Sequence, residues 1–181
     1  MDIELHLASR AMSPRIGKIW LDSDRATFPL VDMLGDIRGF QEYAPSGDKK
    51  RHKRGEAKYW TYASPGYSPF WAPVGFFKMI KETGYCFVQE GIFSAAPLVA
   101  LGFPTVAILS NSNSQPIRNL HIAGVKTVTL ADGDHAGRKI LSKVHRGIAL
   151  PDGLDVGDIW EQQGFYAVKK LATDCLQLLR I

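Results

Sequence analysis

The chain has 181 residues, 45% hydrophobic and 22% charged, a composition that fits a folded globular protein and excludes intrinsic disorder. No apolar run reaches the ~18 residues of a membrane span. The opening Met1-Asp2-Ile3-Glu4 lacks the layout of a secretion signal, so a cytoplasmic protein with no membrane partner is expected.

The net charge of +4 is modest but unevenly spread. Residues 49–58 read Lys-Lys-Arg-His-Lys-Arg-Gly-Glu-Ala-Lys, and Tyr59, Trp60, Tyr62, Tyr67, Phe70 and Trp71 follow. Cations beside flat rings suit a nucleic-acid backbone and its bases.

Residues 1–17, with Leu5, Leu7, Ala8 and Met12, make a partly helical lead that Pro14 interrupts, and no function is assigned to it. Short β-prone runs follow at 19–21, 26–31 and 37–43, and Met33-Leu34-Gly35-Asp36 joins the last two as an antiparallel hairpin. Residues 44–57 are a basic loop, either a solvated tip or a contact surface. A strand over 58–62, a Pro/Gly loop over 64–69 and a short helix from within 71–79 to near Gly84 complete this part.

From Tyr85 the pattern alternates. Strands are expected at 85–89, 105–109, 125–131 and 148–150, and helices at 94–101, 115–123 and 136–146. Ser94 is the expected N-cap of the first helix, where Pro97 is tolerable only near the first turn. Repeated β-α-β units imply a parallel sheet covered by helices on both faces. Val168, Leu171, Cys175, Leu176, Leu178 and Leu179 mark a closing amphipathic helix over 165–179. Cys86 and Cys175 read as core packing, and two cysteines cannot build a zinc ribbon. Trp20, Trp60, Trp71 and Trp160 read as core or hairpin packing, with Trp60 and Trp71 the ones to test as base-stacking platforms. The fold expected is α/β, with a small, mostly antiparallel, basic β subdomain over 1–82 and a parallel sheet flanked by helices over 83–181.

Two predicted strands end in acids. Tyr85–Gln89 leads into Glu90-Gly91, with Gly91 permitting a sharp turn, and 125–131 leads into Asp132-Gly133-Asp134-His135-Ala136-Gly137. In an open parallel sheet the carboxyl ends of the strands line the ligand crevice, so Glu90, Asp132 and Asp134 can converge there. Hard oxygen ligands of this kind suit Mg²⁺, which supports phosphoryl transfer by positioning and charge neutralisation. The competing reading is that Asp132 and Asp134 cap the helix after them.

The order of Glu90-Gly91 and Asp132-Gly133-Asp134-His135-Ala136-Gly137 resembles the Toprim signature, a glutamate motif followed by DxDxAG. Residues 27–32 and 35–40 resemble the hairpin that precedes this domain in bacterial and phage primases, Lys58-Tyr59-Trp60 resembles the basic-aromatic element that follows, and 150–159 resembles a later aspartate-bearing segment. The likeness to Toprim-domain primases covers roughly residues 26–164.

The resemblance implies a Toprim-like parallel sheet and metal-dependent synthesis of RNA primers on single-stranded DNA from ribonucleoside triphosphates, with Mg²⁺ or Mn²⁺. Glu90, Asp132 and Asp134 would be catalytic and metal-binding, Asp155 would join them (with Asp152 or Asp158 as alternatives), and Lys49, Lys50, Arg51, Lys53, Arg54, Lys58 and Trp60 would hold nucleic acid or nucleotide. His135 reads as an exposed residue at a helix start. Where such primases carry an acid four residues after the motif glutamate, this chain has Ser94. No P-loop motif occurs, so a replicative helicase and a zinc-binding module would be supplied separately, as fits a phage or plasmid setting. A stand-alone Toprim nuclease and a catalytically weak DNA-binding accessory protein are the alternatives.

Overall fold

The computed structural model describes residues 2–110 and 112–179; Met1, Asn111, Arg180 and Ile181 lie outside the described residues. A short helix α1 (Ile3–Ser9) opens the chain, and Asp2 caps it by accepting from the amides of Glu4 (2.9 Å) and Leu5 (3.3 Å). An antiparallel sheet follows in the order β1 (Trp20–Leu21), β2 (Ala26–Val31), β3 (Ile37–Tyr43) and β4 (Tyr59–Ala63). The β2–β3 turn is fixed by Asp32, whose Oδ1 accepts from the amides of Leu34 (2.9 Å) and Asp36 (3.1 Å).

Pro29 lies inside β2 without costing a ladder bond. Thr27 pairs with β1 and the amide of Val31 donates to Phe70 O (2.8 Å), so the nitrogen of Pro29 falls in the gap between these partners.

The second half contains α2 (Phe76–Thr83), β5 (Tyr85–Gln89), α3 (Ile92–Ala100), β6 (Thr105–Ala107), α4 (Gln115–Ile122), β7 (Lys126–Ala131), α5 (His135–Leu141), β8 (Arg146–Ala149), α6 (Val156–Gln163) and α7 (Phe165–Gln177). Its sheet is wholly parallel, in the order β6-β5-β7-β8. Side chains of β5 alternate between two cores: Cys86 and Val88 pack with Phe76, Ile80, Ile117, Leu120 and Ile140 on one face, and Phe87 with Leu98, Ile159, Val168 and Ala172 on the other.

A third core joins the halves, with Ile3, Leu7, Phe28, Leu30 and Tyr43 packed against Ile92, Phe93, Ala95 and Ala96. Phe70 and Trp71 stitch the two sheets, Phe70 bridging to Val31 and Trp71 to Ala107. Among the described residues no helix is long and apolar enough to cross a membrane.

Several expectations change. The helix after Glu90 starts at Ile92 with Gly91 as N-cap, so Ser94 is a buried first-turn residue and not the cap. Pro97 stands inside this helix, where its missing N–H leaves the carbonyl of Phe93 without a helical donor. Gly91 has an ordinary extended φ of −111°, so no special turn explains it.

The helix expected over 136–146 stops at Leu141 because Arg146 already belongs to β8, whose Gly147 lies so close to Thr129 that a Cβ would meet its Cγ2 at 2.7 Å. Helix α6 escapes the reading by hydrophobic period. Its signal is a capping box, with Asp155 Oδ1 accepting from the Asp158 amide (2.7 Å) and Asp158 Oδ2 from the Asp155 amide (3.0 Å). Trp20 is 53% exposed on β1, whereas Trp71 is 1% exposed in the core and cannot reach a base.

Candidate active site

Strands β5 and β7 are parallel neighbours although β6 lies between them in sequence, so the chain reverses its winding direction beside β5. That is the point at which an open parallel sheet leaves a crevice at the strand carboxyl ends. Glu90 and Asp132 each follow directly on one of these two strands, and the topology sets them side by side.

Two glycines of the second motif exist for close approach. A Cβ on Gly133 would lie 1.8 Å from Pro151 O, and one on Gly137 would lie 2.3 Å from Asp132 O. The first contact clamps the 151–155 loop onto the motif: the Gly133 amide donates to Leu154 O (2.8 Å) and the Gly153 amide to Gly133 O (3.0 Å). This clamp carries Asp155 to the acids.

Two adjoining cavities open here, between the parallel sheet and the inner face of the antiparallel one. The smaller, about 290 Å³, is lined by Asp132, Asp134, Asp155 and Asp158 together with Arg10, Lys49, Lys58 and Tyr59. The larger, about 440 Å³, is lined by Glu90, Asp132 and Asp155 with Arg10, Lys49, Gln41, Tyr59 and Ser94. Asp132 and Asp155 border both. The acids therefore face three cations across one cleft.

Asp132 is the electrostatic centre. Burial, and then the neighbouring charges of Asp155, Glu90, Asp134 and Asp158, push its carboxyl up to about 7, and its buried Oδ1 has no hydrogen-bond partner among the described residues. Burial and then Asp134 also raise Glu90, against a lowering by Lys143. Asp155 is raised by burial, with the charge of Asp158 adding to it and its backbone hydrogen bonds and Arg10 opposing. Asp134 caps α5, its Oδ1 accepting from the Gly137 amide (2.7 Å), so for this residue capping and cleft-lining coexist.

Among the described residues, no three His, Cys, Asp or Glu side chains stand close enough to hold a metal ion as they are. The donor chemistry nevertheless fits a hard divalent cation. An orphaned carboxylate oxygen sits amid like charges, and such an ion would relieve both the missing partner and the repulsion.

The remaining expected site residues divide. Lys49 and Lys58 line the cleft, and burial, then Lys49 and Arg10, lower the Lys58 ammonium. Lys50, Arg51 and Lys53 are exposed on the loop and line neither cavity; Arg51 pairs with Asp48 and Glu56, and Lys53 with Glu56. Arg54 and Trp60 lie on the opposite face of the antiparallel sheet, where Arg54 Nε donates to Glu42 Oε1 (2.9 Å) and its guanidinium sits 5.1 Å over Trp60. Asp152 lines neither cavity and pairs with Arg138. His135 is exposed at the start of α5.

Sequence reading missed Arg10 entirely. It lines both cavities, its guanidinium 5.0 Å over the Phe93 ring and its buried Nε 3.6 Å from Glu161 Oε1, an ion pair too long to be a hydrogen bond. Nothing in its local sequence marks it, because the docking of α1 against the third core is what brings it to the cleft.

The architecture matches solved structures. The RNA polymerase domain of Mycobacterium tuberculosis primase DnaG superposes with a TM-score of 0.64 at 20% identity, over 93% of this chain and 62% of that one. This is the fold of a primase catalytic core. The Aquifex aeolicus primase (zinc binding and RNA polymerase domains) gives 0.61 at 24% identity over 95% and 46% of the two chains. A DnaG primase catalytic domain bound to ssDNA gives 0.62 at 20% identity over 94% and 58%. The chain thus spans about half to three-fifths of the length of these primase structures. No protein-family model and no curated protein matches the sequence.

Proposed function

We propose that the chain is a primase-type nucleotidyltransferase core that joins ribonucleoside triphosphates into short RNA primers on single-stranded DNA, using Mg²⁺ or Mn²⁺. One observation carries the reading: Glu90, Asp132 and Asp155 face Arg10 and Lys49 across a single cleft on a primase fold. Asp132, Asp134 and Asp155, with Glu90, would hold the cation, which supplies charge neutralisation for the transferred phosphoryl group. Arg10, Lys49 and Lys58 would bind template and nucleotide phosphates. At the edge of the larger cavity Glu90 would, where it does not bind the cation, accept the proton of the attacking hydroxyl as pyrophosphate leaves.

Residues 1–82 would act as the template-contacting part and 83–181 as the catalytic part. A single-stranded template agrees with the ssDNA-bound structural neighbour. A zinc-binding module such as the one in the Aquifex neighbour, and a replicative helicase, would be partners in other chains or segments.

A second reading, a DNA-binding accessory protein without catalysis, is favoured by Ser94. It lines the larger cavity at a place where a carboxylate would strengthen metal binding. One assay separates these. Incubation with single-stranded DNA, labelled ribonucleotides and Mg²⁺ or Mn²⁺ is expected to yield short labelled RNA that disappears in Glu90→Gln and Asp132→Asn. Shortened DNA without incorporation would identify a nuclease, and binding with neither product would identify the accessory role.

A further inference from the structure

The larger cavity has a wall that the acids and cations do not account for. Gln41 of β3 and Thr61 of β4 are cross-strand partners on the inner face of the antiparallel sheet. Gln41 is 7% exposed, and its Nε2 donates to Thr61 Oγ1 (2.9 Å). Its Oε1, the acceptor end of the amide, has no partner among the described residues, and the side chain lines the cavity. Ser94 lines the same cavity from α3 at 3% exposure, and its hydroxyl is likewise without a partner among the described residues. Burying a polar group costs stability unless it is paired. Two uncharged side chains that each keep a hydrogen-bonding atom unused beside Glu90 and Asp132 therefore point to a ligand that completes them.

The surroundings change along the cleft in the order of the parts of a nucleotide. The smaller cavity is charged throughout, with Asp132, Asp134 and Asp155 facing Arg10, Lys49 and Lys58, and suits phosphates held by a cation. The larger one starts at the same Asp132 and Asp155 and goes on to Gln41, Ser94 and Leu109. Leu109 also borders a third cavity of about 530 Å³, where Leu30, Tyr67, Pro69 and Ile108 stand among hydroxyl and amide side chains and, among the described residues, no carboxylate. In a nucleotide the sugar lies between the phosphates and the flat base. With phosphates at the charged end and the base towards Leu109, the sugar falls beside Gln41 and Ser94.

We propose that Gln41 and Ser94 select the sugar of the bound nucleotide, with Gln41 Oε1 accepting from the ribose 2′-hydroxyl and the Ser94 hydroxyl donating to the same oxygen. A hydroxyl both donates and accepts, so one 2′ oxygen completes both side chains. A 2′-deoxy sugar leaves both unpaired, and a site built to hydrogen-bond a hydroxyl rejects the analogue that lacks it. Thr61 is a positioning residue, because its bond to Nε2 keeps Oε1 free for the ligand. The inference rests on the nucleotidyltransferase reading above and adds to it the side chains that tell ribonucleotides from deoxyribonucleotides.

The test is titration calorimetry of the full chain with ATP and with 2′-deoxy-ATP in the presence of Mg²⁺. The wild type is expected to bind ATP at least about tenfold tighter than 2′-deoxy-ATP. Gln41→Met, similar in length but without the acceptor, is expected to bring the two affinities within about twofold of each other by weakening ATP alone. Unchanged affinity for 2′-deoxy-ATP in that variant excludes a folding defect as the cause. Ser94→Ala and Thr61→Val are each expected to narrow the gap in part. In primer synthesis with both nucleotides present, the ratio of ribonucleotide to deoxyribonucleotide incorporated should fall in Gln41→Met by about the factor that the affinities lose.

Equal affinity of the wild type for the two nucleotides would overturn the proposal, as would a gap that survives in Gln41→Met or an equal weakening of both nucleotides by that change. Primer synthesis with no such preference would keep the transferase reading and remove this one. A sugar preference that depends on Gln41 without any primer synthesis would instead remove the transferase reading and keep the nucleotide site. Binding of neither nucleotide would overturn both.

Discussion

Replacing Asp132 by Asn is expected to stabilise the metal-free protein, by an amount that depends on pH. The Asp132 carboxyl is pushed from its ordinary 3.8 to about 7, by burial first and then by Asp155, Glu90, Asp134 and Asp158. Because the folded-state value is the higher one, the folded chain binds the proton more tightly than the unfolded chain does. No penalty exists below the unfolded value; it grows as pH rises towards 7 and is complete above. Fully ionised, the group opposes folding by up to about 4 kcal/mol, against ~1.5 kcal/mol at pH 5.

For a chain of this size each kcal/mol is worth about 2–4 °C in Tm. The gain of Asp132→Asn over wild type should therefore be some 5–10 °C larger at pH 8 than at pH 5. Thermal melting followed by circular dichroism in a chelating buffer measures it directly. Adding Mg²⁺ at pH 8 should then raise the wild type and leave the variant nearly unmoved, since a cation that binds the folded state stabilises it by mass action. A Tm gain that is the same at both pH values, or a Mg²⁺ effect equal in the two proteins, would refute the placing of Asp132 at the centre of an uncompensated cluster.

Two further outcomes follow from the cleft geometry. Gly133→Ala should lower stability by ~1–3 kcal/mol in urea titration, because its Cβ would meet Pro151 O at 1.8 Å, whereas Gly91→Ala, with only Ser94 Oγ at 3.9 Å and an ordinary φ, should stay within ~0.5 kcal/mol of wild type. Lys49→Gln and Lys58→Gln should each weaken single-stranded DNA binding and reduce the slope of log affinity against log salt by about 0.7; slopes unchanged in both would take these lysines out of the phosphate contacts.

The sequence by itself determined the elements whose signals are local. β2 and β3 begin and end where alternation and the 33–36 turn place them, and β5 stops at Gln89 immediately before Glu90. Period-2 patterns and turn residues are short-range, so a single window contains them. The acidic motifs were equally legible, because Glu90 and Asp132 each terminate an apolar run and their motif order matches a fold that the structure then displays.

Tertiary structure decided what depends on approach in space. Asp155 was separated from Asp152 and Asp158 as the acid that borders both cavities only by the clamp of the 151–155 loop onto Gly133. Arg10 reached the site only because α1 docks on the core that joins the two sheets. The basic run and the rings after it were divided in space: Lys49 and Lys58 line the cleft and Arg54 does not, and the pleat of β4 turns Tyr59 to the cleft and Trp60, the next residue, to the side of Arg54. A strand reverses its side chains at every residue and a helix end is placed by what it packs against, and neither consequence can be read until the partner surfaces are in position.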